Sequence, residues 1–231
     1  MSFQSIEYMR YIRQSTMDEG LWNHVDFYNK YQLPTRLDDT VVIDVGCHIG
    51  QFANACLRRG SKFVYGYEPH PENIELAVKN LGEYREKICL QPKAVWRSDV
   101  AVESLKHTGF DYNTGSGVVY DPDGFLPVEV ISLQDAIALA LKTYPQVDIL
   151  KISCNGSEYP TLLTTSLDGV INVIGEYKIF KEVPPLLQEL GELTPESLWD
   201  YFKGQGFNFE YEQLDDGCNL DTARFIAVRN M

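Results

Sequence analysis

Val41-Val42-Ile43-Asp44-Val45-Gly46-Cys47-His48-Ile49-Gly50 is an apolar run carrying one acid, closed by two glycines and followed by an amphipathic stretch. That pattern reads as a β-strand turning into an α-helix, the corner at which α/β proteins hold a nucleotide-bearing cofactor. A second apolar run, Phe63 to Tyr67, ends on Glu68, eighteen residues past Gly50. A carboxylate at that place can accept hydrogen bonds from both hydroxyls of a ribose. Gly46 and Gly50 give G-x-x-x-G, whereas a turn around a pyrophosphate reads G-x-G-x-x-G. The spacing therefore implies a cofactor with a ribose and no pyrophosphate, for which S-adenosyl-L-methionine is the common candidate. A nicotinamide oxidoreductase is the alternative, and the missing middle glycine counts against it.

Outward from this corner, strands and helices alternate. Gln51 to Arg59 carries Phe52, Ala55 and Cys56 at helical spacing and stops at Gly60. His70-Pro71 opens another helix, with Ile74, Ala77, Val78 and Leu81 as its expected buried stripe. Ile88 to Val95 reads as a third strand interrupted by Pro92, and Val128 to Ile131 as a short strand or a strand-like entry into the next helix. Ser132 and Asp135 form a capping pattern for a helix through Lys142. Val147 to Ser153 and Val170 to Tyr177 are further core strands, with a helix between them from about Ser157. Thr194-Pro195 starts a last helix ending near Gly204. Phe207 to Gln213 and Ala223 to Arg229 then flank a polar turn at Asp215-Asp216-Gly217, as an antiparallel hairpin. The expected fold is α/β, Rossmann-like: a mostly parallel seven-stranded sheet with a C-terminal antiparallel hairpin and helices on both faces. Residues 1–40, with Tyr8, Tyr11, Trp22, Tyr28 and Tyr31, read as an N-terminal helical cap, and residues 41–231 as the cofactor domain.

The 231 residues, 44% of them hydrophobic, suit one sizeable core. Lys plus Arg number 20 against 33 Asp plus Glu, a net charge of -13, which repels a phosphate backbone and argues against nucleic acid as partner. The five cysteines, Cys47, Cys56, Cys89, Cys154 and Cys218, are odd in number and contain no C-x-x-C pair, as expected of reduced thiols in a cytoplasm. No apolar run approaches the roughly 20 residues of a membrane span and no leader is evident, so a soluble cytoplasmic protein is expected.

From about residue 40 to 230 the sequence resembles the FkbM family of S-adenosylmethionine-dependent O-methyltransferases. The resemblance rests on Val42 to Gly50, Tyr67-Glu68-Pro69-His70-Pro71-Glu72-Asn73, Lys93-Ala94-Val95 and Ile131 to Asp135. Val147 to Ile152, Gly156-Ser157-Glu158 and Ile174-Gly175-Glu176 follow in family order. It implies that Asp44, Gly46, Cys47, His48 and Gly50 form the loop beneath the methionine part of the cofactor. Glu68 and Pro69 would hold the ribose, Lys93 to Val95, with Ala94, would line the adenine, and Ser153 would face the cofactor. The family reads Lys-Ile-Asp-Val-Glu-Gly-x-Glu where this chain has Lys151-Ile152-Ser153-Cys154-Asn155-Gly156-Ser157-Glu158. A hydroxyl and an amide do not hold a divalent cation as carboxylates do, which argues against a metal.

A hydroxyl acceptor, on a sugar, a glycan or a small polar metabolite, is a poor nucleophile and is helped by a base. Candidates at strand ends are Glu176, Glu158 and Lys151. Glu176 follows an apolar run, where a buried acid needs a role or a partner. Glu158 serves equally well as a helix N-terminal acid, and Lys151 as the ion-pair partner of an acid. The imidazole of His48 is open to a catalytic role or a plain loop role. Thr108 to Val118, with Asp111, Tyr112, Asn113, Thr114, Gly115, Ser116 and Gly117, is a polar loop that could close over an acceptor or form a surface turn. The missing acids also leave open a cofactor-binding protein without catalysis.

Overall fold

A computed structural model describes residues 10–109, 114–121, 123–213 and 222–230. The chain enters through helix α1 (Asp18–Asp26) and continues with β1 (Val41–Val45), α2 (Gln51–Arg58), β2 (Phe63–Tyr67), α3 (Pro71–Asn80) and β3 (Ile88–Gln91). Next come β4 (Lys93–Trp96), β5 (Ser104–His107), β6 (Leu126–Ser132), α4 (Leu133–Leu141), β7 (Val147–Ile152) and α5 (Glu158–Leu163). The chain closes with β8 (Val170–Lys178), α6 (Pro195–Gly204), β9 (Phe207–Gln213) and β10 (Thr222–Arg229). The turn at Asp215-Asp216-Gly217, with Cys218, lies outside the described residues, as do Tyr8, Asp111, Tyr112 and Asn113.

The main sheet has seven strands in the order β3-β2-β1-β7-β8-β10-β9. The first five are mutually parallel, while β10 runs antiparallel to both β8 and β9, as the hairpin reading expected. Every residue of β1 is buried, as its continuous apolar pattern requires of a strand covered on both faces. On one face Val42, Ile149 and Ile174 pack with Phe52, Cys56 and Leu81. On the other, Ile43, Leu150 and Val173 pack with Leu133, Ile137 and Phe202. Among the described residues no helix is long and apolar enough to cross a membrane.

Helix starts follow the local chemistry. The Ser132 hydroxyl accepts from the Asp135 amide at the head of α4, and Thr194 and Ser197 cap each other's amides at the head of α6. Each such cap is worth about 1 kcal/mol.

Two expectations are corrected. Ile88 to Val95 is not one strand: Gln91 pairs with Tyr67 in the main sheet, but Lys93 pairs with Glu129 in a separate three-stranded sheet, β4-β6-β5. Pro92, between them, has no N–H for a ladder, and the chain changes sheets there. The buried side of α3 also differs. Val78 is exposed, and Asn73 and Asn80 are buried beside Ala77. Ala77 and Leu81 of the expected stripe do pack in the apolar core with Val42 and Phe52, while Asn80 faces polar backbone of the Gly46–Gly50 loop and the N-terminal arm.

Candidate active site

Strands leave β1 in opposite directions, toward β2 on one side and β7 on the other, and such a switch point opens a crevice at the carboxyl ends of the strands. A cleft of about 570 Å³, including its open mouth, lies there. This is in the range of small-molecule sites. Gly46, His48, Glu68, Pro69, Ala94 and Ser153 all line it.

The Gly46-to-Gly50 corner is shaped by the protein's own neighbours. Gly46 has φ +71°, and a Cβ there would meet the Ser153 carbonyl oxygen at 2.2 Å. Gly50 has φ +89°, and its Cβ would meet Leu81 Cδ1 at 2.7 Å. The absent side chains thus admit β7 and α3, not only a ligand. Behind the corner Lys151 Nζ sits 3.0 Å from Asp44 Oδ1 and donates to the carbonyls of Val45 (3.1 Å) and Gly46 (2.7 Å). Burial opposes the ammonium charge, and the Asp44 carboxylate outweighs it, leaving the Lys151 pKa above its ordinary value. Asp44 and Lys151 therefore brace the loop from below, and Cys47 packs its sulfur toward Gly66.

Glu68 is buried at the end of β2 and faces the cleft. One carboxylate oxygen accepts from the His48 amide at 2.9 Å, and the other from the His70 amide at 2.9 Å and Asn73 Nδ2 at 3.2 Å. Burial raises its pKa, and these donors only partly counter that.

His48 ties the loop to its surroundings. Gln51 Nε2 lies 3.3 Å from Nδ1, and Nε2 lies 3.0 Å from the Thr114 hydroxyl, which donates to Asp18 Oδ1 at 2.5 Å. This chain of donors selects the neutral ring with its proton on Nε2, consistent with burial lowering the His48 pKa to about 4. Asp18, fully buried, is gripped by Arg13 through its backbone amide (2.9 Å) and guanidinium (3.0 Å), and Arg13 also donates to Asn73 Oδ1 at 2.7 Å. The N-terminal arm is thus continuous, through Asn73, with the Glu68 side of the cleft. Of its aromatics, Trp22 and Tyr31 are buried, Tyr31 edge-on to Phe52, while Tyr11 and Tyr28 are exposed.

The carboxyl ends of β7 and β8 hold the remaining candidates. Ser153 Oγ donates to Glu176 Oε2 at 3.2 Å, Tyr31 donates to the same oxygen at 3.4 Å, and Lys30 Nζ lies 2.5 Å from Oε1. Glu176 stands one hydrogen bond behind the cleft wall. Glu158 is buried and accepts from the amides of Cys154 (2.5 Å) and Gly156 (2.6 Å), closing the loop after β7. Asn155 Nδ2 donates to the carbonyls of Gly115 and Gly117. Among the described residues no cluster of His, Cys, Asp and Glu is arranged to hold a metal.

Of the residues singled out in the sequence, Asp44, Cys47, Gly50, Glu158, Lys151 and Glu176 do not line the cleft; they support the residues that do. Arg13, Asp18 and His107 escaped the sequence reading. Asp18 carried a signal as an acid in the first turn of a helix, but its partners toward the cleft, His48 and Thr114, lie far along the chain. The groups present fit S-adenosylmethionine: Glu68 for a ribose, and apolar Pro69, Ala94 and Val95 for an adenine.

The family model described as the methyltransferase FkbM domain matches residues 44–209. Among solved structures, the methyltransferase FkbM of Methylobacillus flagellatus KT is 13% identical with a TM-score of 0.51, over 88% of this chain and 47% of that one. A Listeria monocytogenes protein named as an S-adenosylmethionine-dependent methyltransferase is 11% identical with a TM-score of 0.51, over 92% of this chain and 100% of that one. At such identities the two structures speak for the fold alone. No curated protein matches the chain. The family match runs from the Asp44 corner through Glu68, Ser153 and Glu176 and sets aside the nicotinamide reading. The chain belongs to the FkbM methyltransferase family and is an S-adenosylmethionine-dependent methyltransferase.

Proposed function

We propose that the acceptor is a hydroxyl of a sugar, a glycan or another small polar metabolite, so that the reaction is an O-methyl transfer. The supporting observation is the 3.2 Å bond from Ser153, on the cleft wall, to Glu176 behind it. S-adenosylmethionine, when bound, supplies a methyl group on positively charged sulfur. Glu68 holds the ribose, and the Gly46–Gly50 loop, braced by Lys151, fixes where the methionine end lies. As an acceptor oxygen attacks, its proton passes to Ser153 Oγ while the Ser153 hydrogen moves to Glu176, which later returns a proton to solvent. Lys30 and Tyr31 hold the carboxylate in place for this. Glu158 and Lys151 act in this reading as positioning groups, and residues 1–40 as a cap that reaches the cleft rim through Asp18. Neither a nucleic acid nor a membrane is the partner, and the place of work is the cytoplasm.

The test is release of S-adenosylhomocysteine by purified protein supplied with S-adenosylmethionine and a panel of sugars, glycans and small alcohols, with amines as the contrast. Glu176→Gln should lower kcat about 100-fold or more while leaving S-adenosylhomocysteine affinity within about twofold. Full kcat in that variant removes Glu176 as the base, and turnover confined to amines overturns the hydroxyl reading. Activity should survive a chelator, because Ser153 and Asn155 put no carboxylate where a cation would sit.

A further inference from the structure

The roof of the cleft is a strap, Thr114 to Tyr120, whose Gly115, Gly117 and Val118 line the space beneath. It is tied to both banks by side chains that the transfer itself does not use. On the near bank the Thr114 hydroxyl joins His48 to the buried Asp18–Arg13 pair, and Asn73 Nδ2 reaches the Thr114 carbonyl at 3.4 Å. On the far bank the Asn155 amide donates to Gly115 O and, at 3.1 Å, to Gly117 O. The Tyr120 hydroxyl returns a bond to the Asn155 carbonyl at 2.6 Å.

The residue type at 155 is dictated by these contacts. Two carbonyl oxygens facing one side chain require two donors, which an amide supplies and a carboxylate does not. The backbone at Asn155 has φ +55°, a conformation that Asn and Asp tolerate better than other residues bearing a side chain. The banks also differ in strength. The near bank holds through the Thr114 bond to the Asp18 carboxylate, the far bank through neutral bonds, and charge-assisted bonds are roughly twice as strong. The far bank is the side that yields first.

We propose that Asn155 and Thr114 are positioning residues that clasp this strap over bound S-adenosylmethionine, and that release of the Asn155 clasp is the step that admits and discharges the cofactor. The proposal rests on the placement of the cofactor in this cleft, and is independent of which acceptor is methylated.

Stopped-flow binding of S-adenosylhomocysteine to the full chain separates entry from exit. Asn155→Asp keeps the shape and the positive φ but loses both donors; Asn155→Gly removes the clasp without adding charge. Both variants should release S-adenosylhomocysteine about tenfold faster or more, with an association rate equal to or above that of the parent and a nearly unchanged thermal midpoint. An unchanged release rate in both overturns the clasp. A slower association rate with a large fall in thermal midpoint also overturns it, since that is the mark of a residue that only holds the fold. If the parent protein binds no S-adenosylhomocysteine, the cofactor placement fails and the clasp with it.

Discussion

Gly46, Gly50 and Gly20 carry the same side chain and face three different surroundings. At Gly46 a Cβ would run into the Ser153 carbonyl, which directly follows the central strand β7 and is backbone that cannot turn aside. At Gly50 the obstacle is the end of the Leu81 side chain, which can turn away, and the remaining cost is the φ of +89°. At Gly20, inside α1, nothing lies within 4 Å. Gly46→Ala should therefore lose about 3 kcal/mol or more, Gly50→Ala about 1–2 kcal/mol, and Gly20→Ala should gain up to about 1 kcal/mol. Urea unfolding of the three variants checks the ranking, and a Gly46→Ala protein as stable as its parent would show that β7 does not fill that space. The sequence shows that Gly46 and Gly50 matter, because a strand-to-helix corner is a local pattern. It does not show that a carbonyl 107 positions away makes the first one indispensable.

Helix α3 shows the same limit one level up. Its start at Pro71 is readable from local chemistry, but which side is buried depends on what lies opposite. Asn80 Nδ2 donates to the carbonyls of Ile49 (2.9 Å) and Tyr11 (3.1 Å), and Oδ1 accepts from the Tyr11 amide at 2.7 Å. One side chain thereby staples the N-terminal arm to the cofactor loop. Asn80→Ala should cost about 1–3 kcal/mol, because buried backbone groups lose their partners. Exchange of the Tyr11 amide should accelerate more than that of amides in β1; equal protection in parent and variant would deny the staple. The split of β3 from β4 was half legible, since Pro92 marks the interruption but not the second sheet that receives the chain. The hairpin of β9 and β10 was read correctly because alternation and a polar turn are enough to specify it.

Across the whole molecule, three buried histidines, His48, His70 and His107, each with its pKa lowered by burial, make stability depend on pH. Burial lowers the pKa of His48 and of His107 from 6.5 to about 4 each, and His107 Nδ1 accepts from the Gly109 amide at 2.9 Å, which requires that nitrogen unprotonated. Between pH 6.5 and 4 the unfolded chain binds more protons at these sites than the folded one, so their contribution to stability falls as pH drops. The buried acids Glu68 and Glu158, raised by burial, act in the opposite sense, so the histidine share is read as a difference. The loss of unfolding free energy from pH 7 to pH 5 should be smaller in His107→Gln than in the parent. Identical slopes would mean that His107 titrates as it does in an unfolded chain. At this scale the layered α/β plan was legible from apolar runs, whereas the polar links between the arm, the strap and the corner were not, because they join residues distant in sequence. The Asp44–Lys151 pair has a consequence for how those distant parts find each other. It sits between neighbouring strands whose partners run from Val42 with Ile149 to Val45 with Ile152. Sliding β7 by two residues would set Ile149 or Ser153 opposite Asp44 and strand two buried charges, at about 3–5 kcal/mol for breaking such a pair. Apolar strands alone would tolerate that slip, since every second residue still faces the same layer. The ion pair works as an alignment key, admitting one pairing of two segments more than 100 positions apart and rejecting the near misses during assembly.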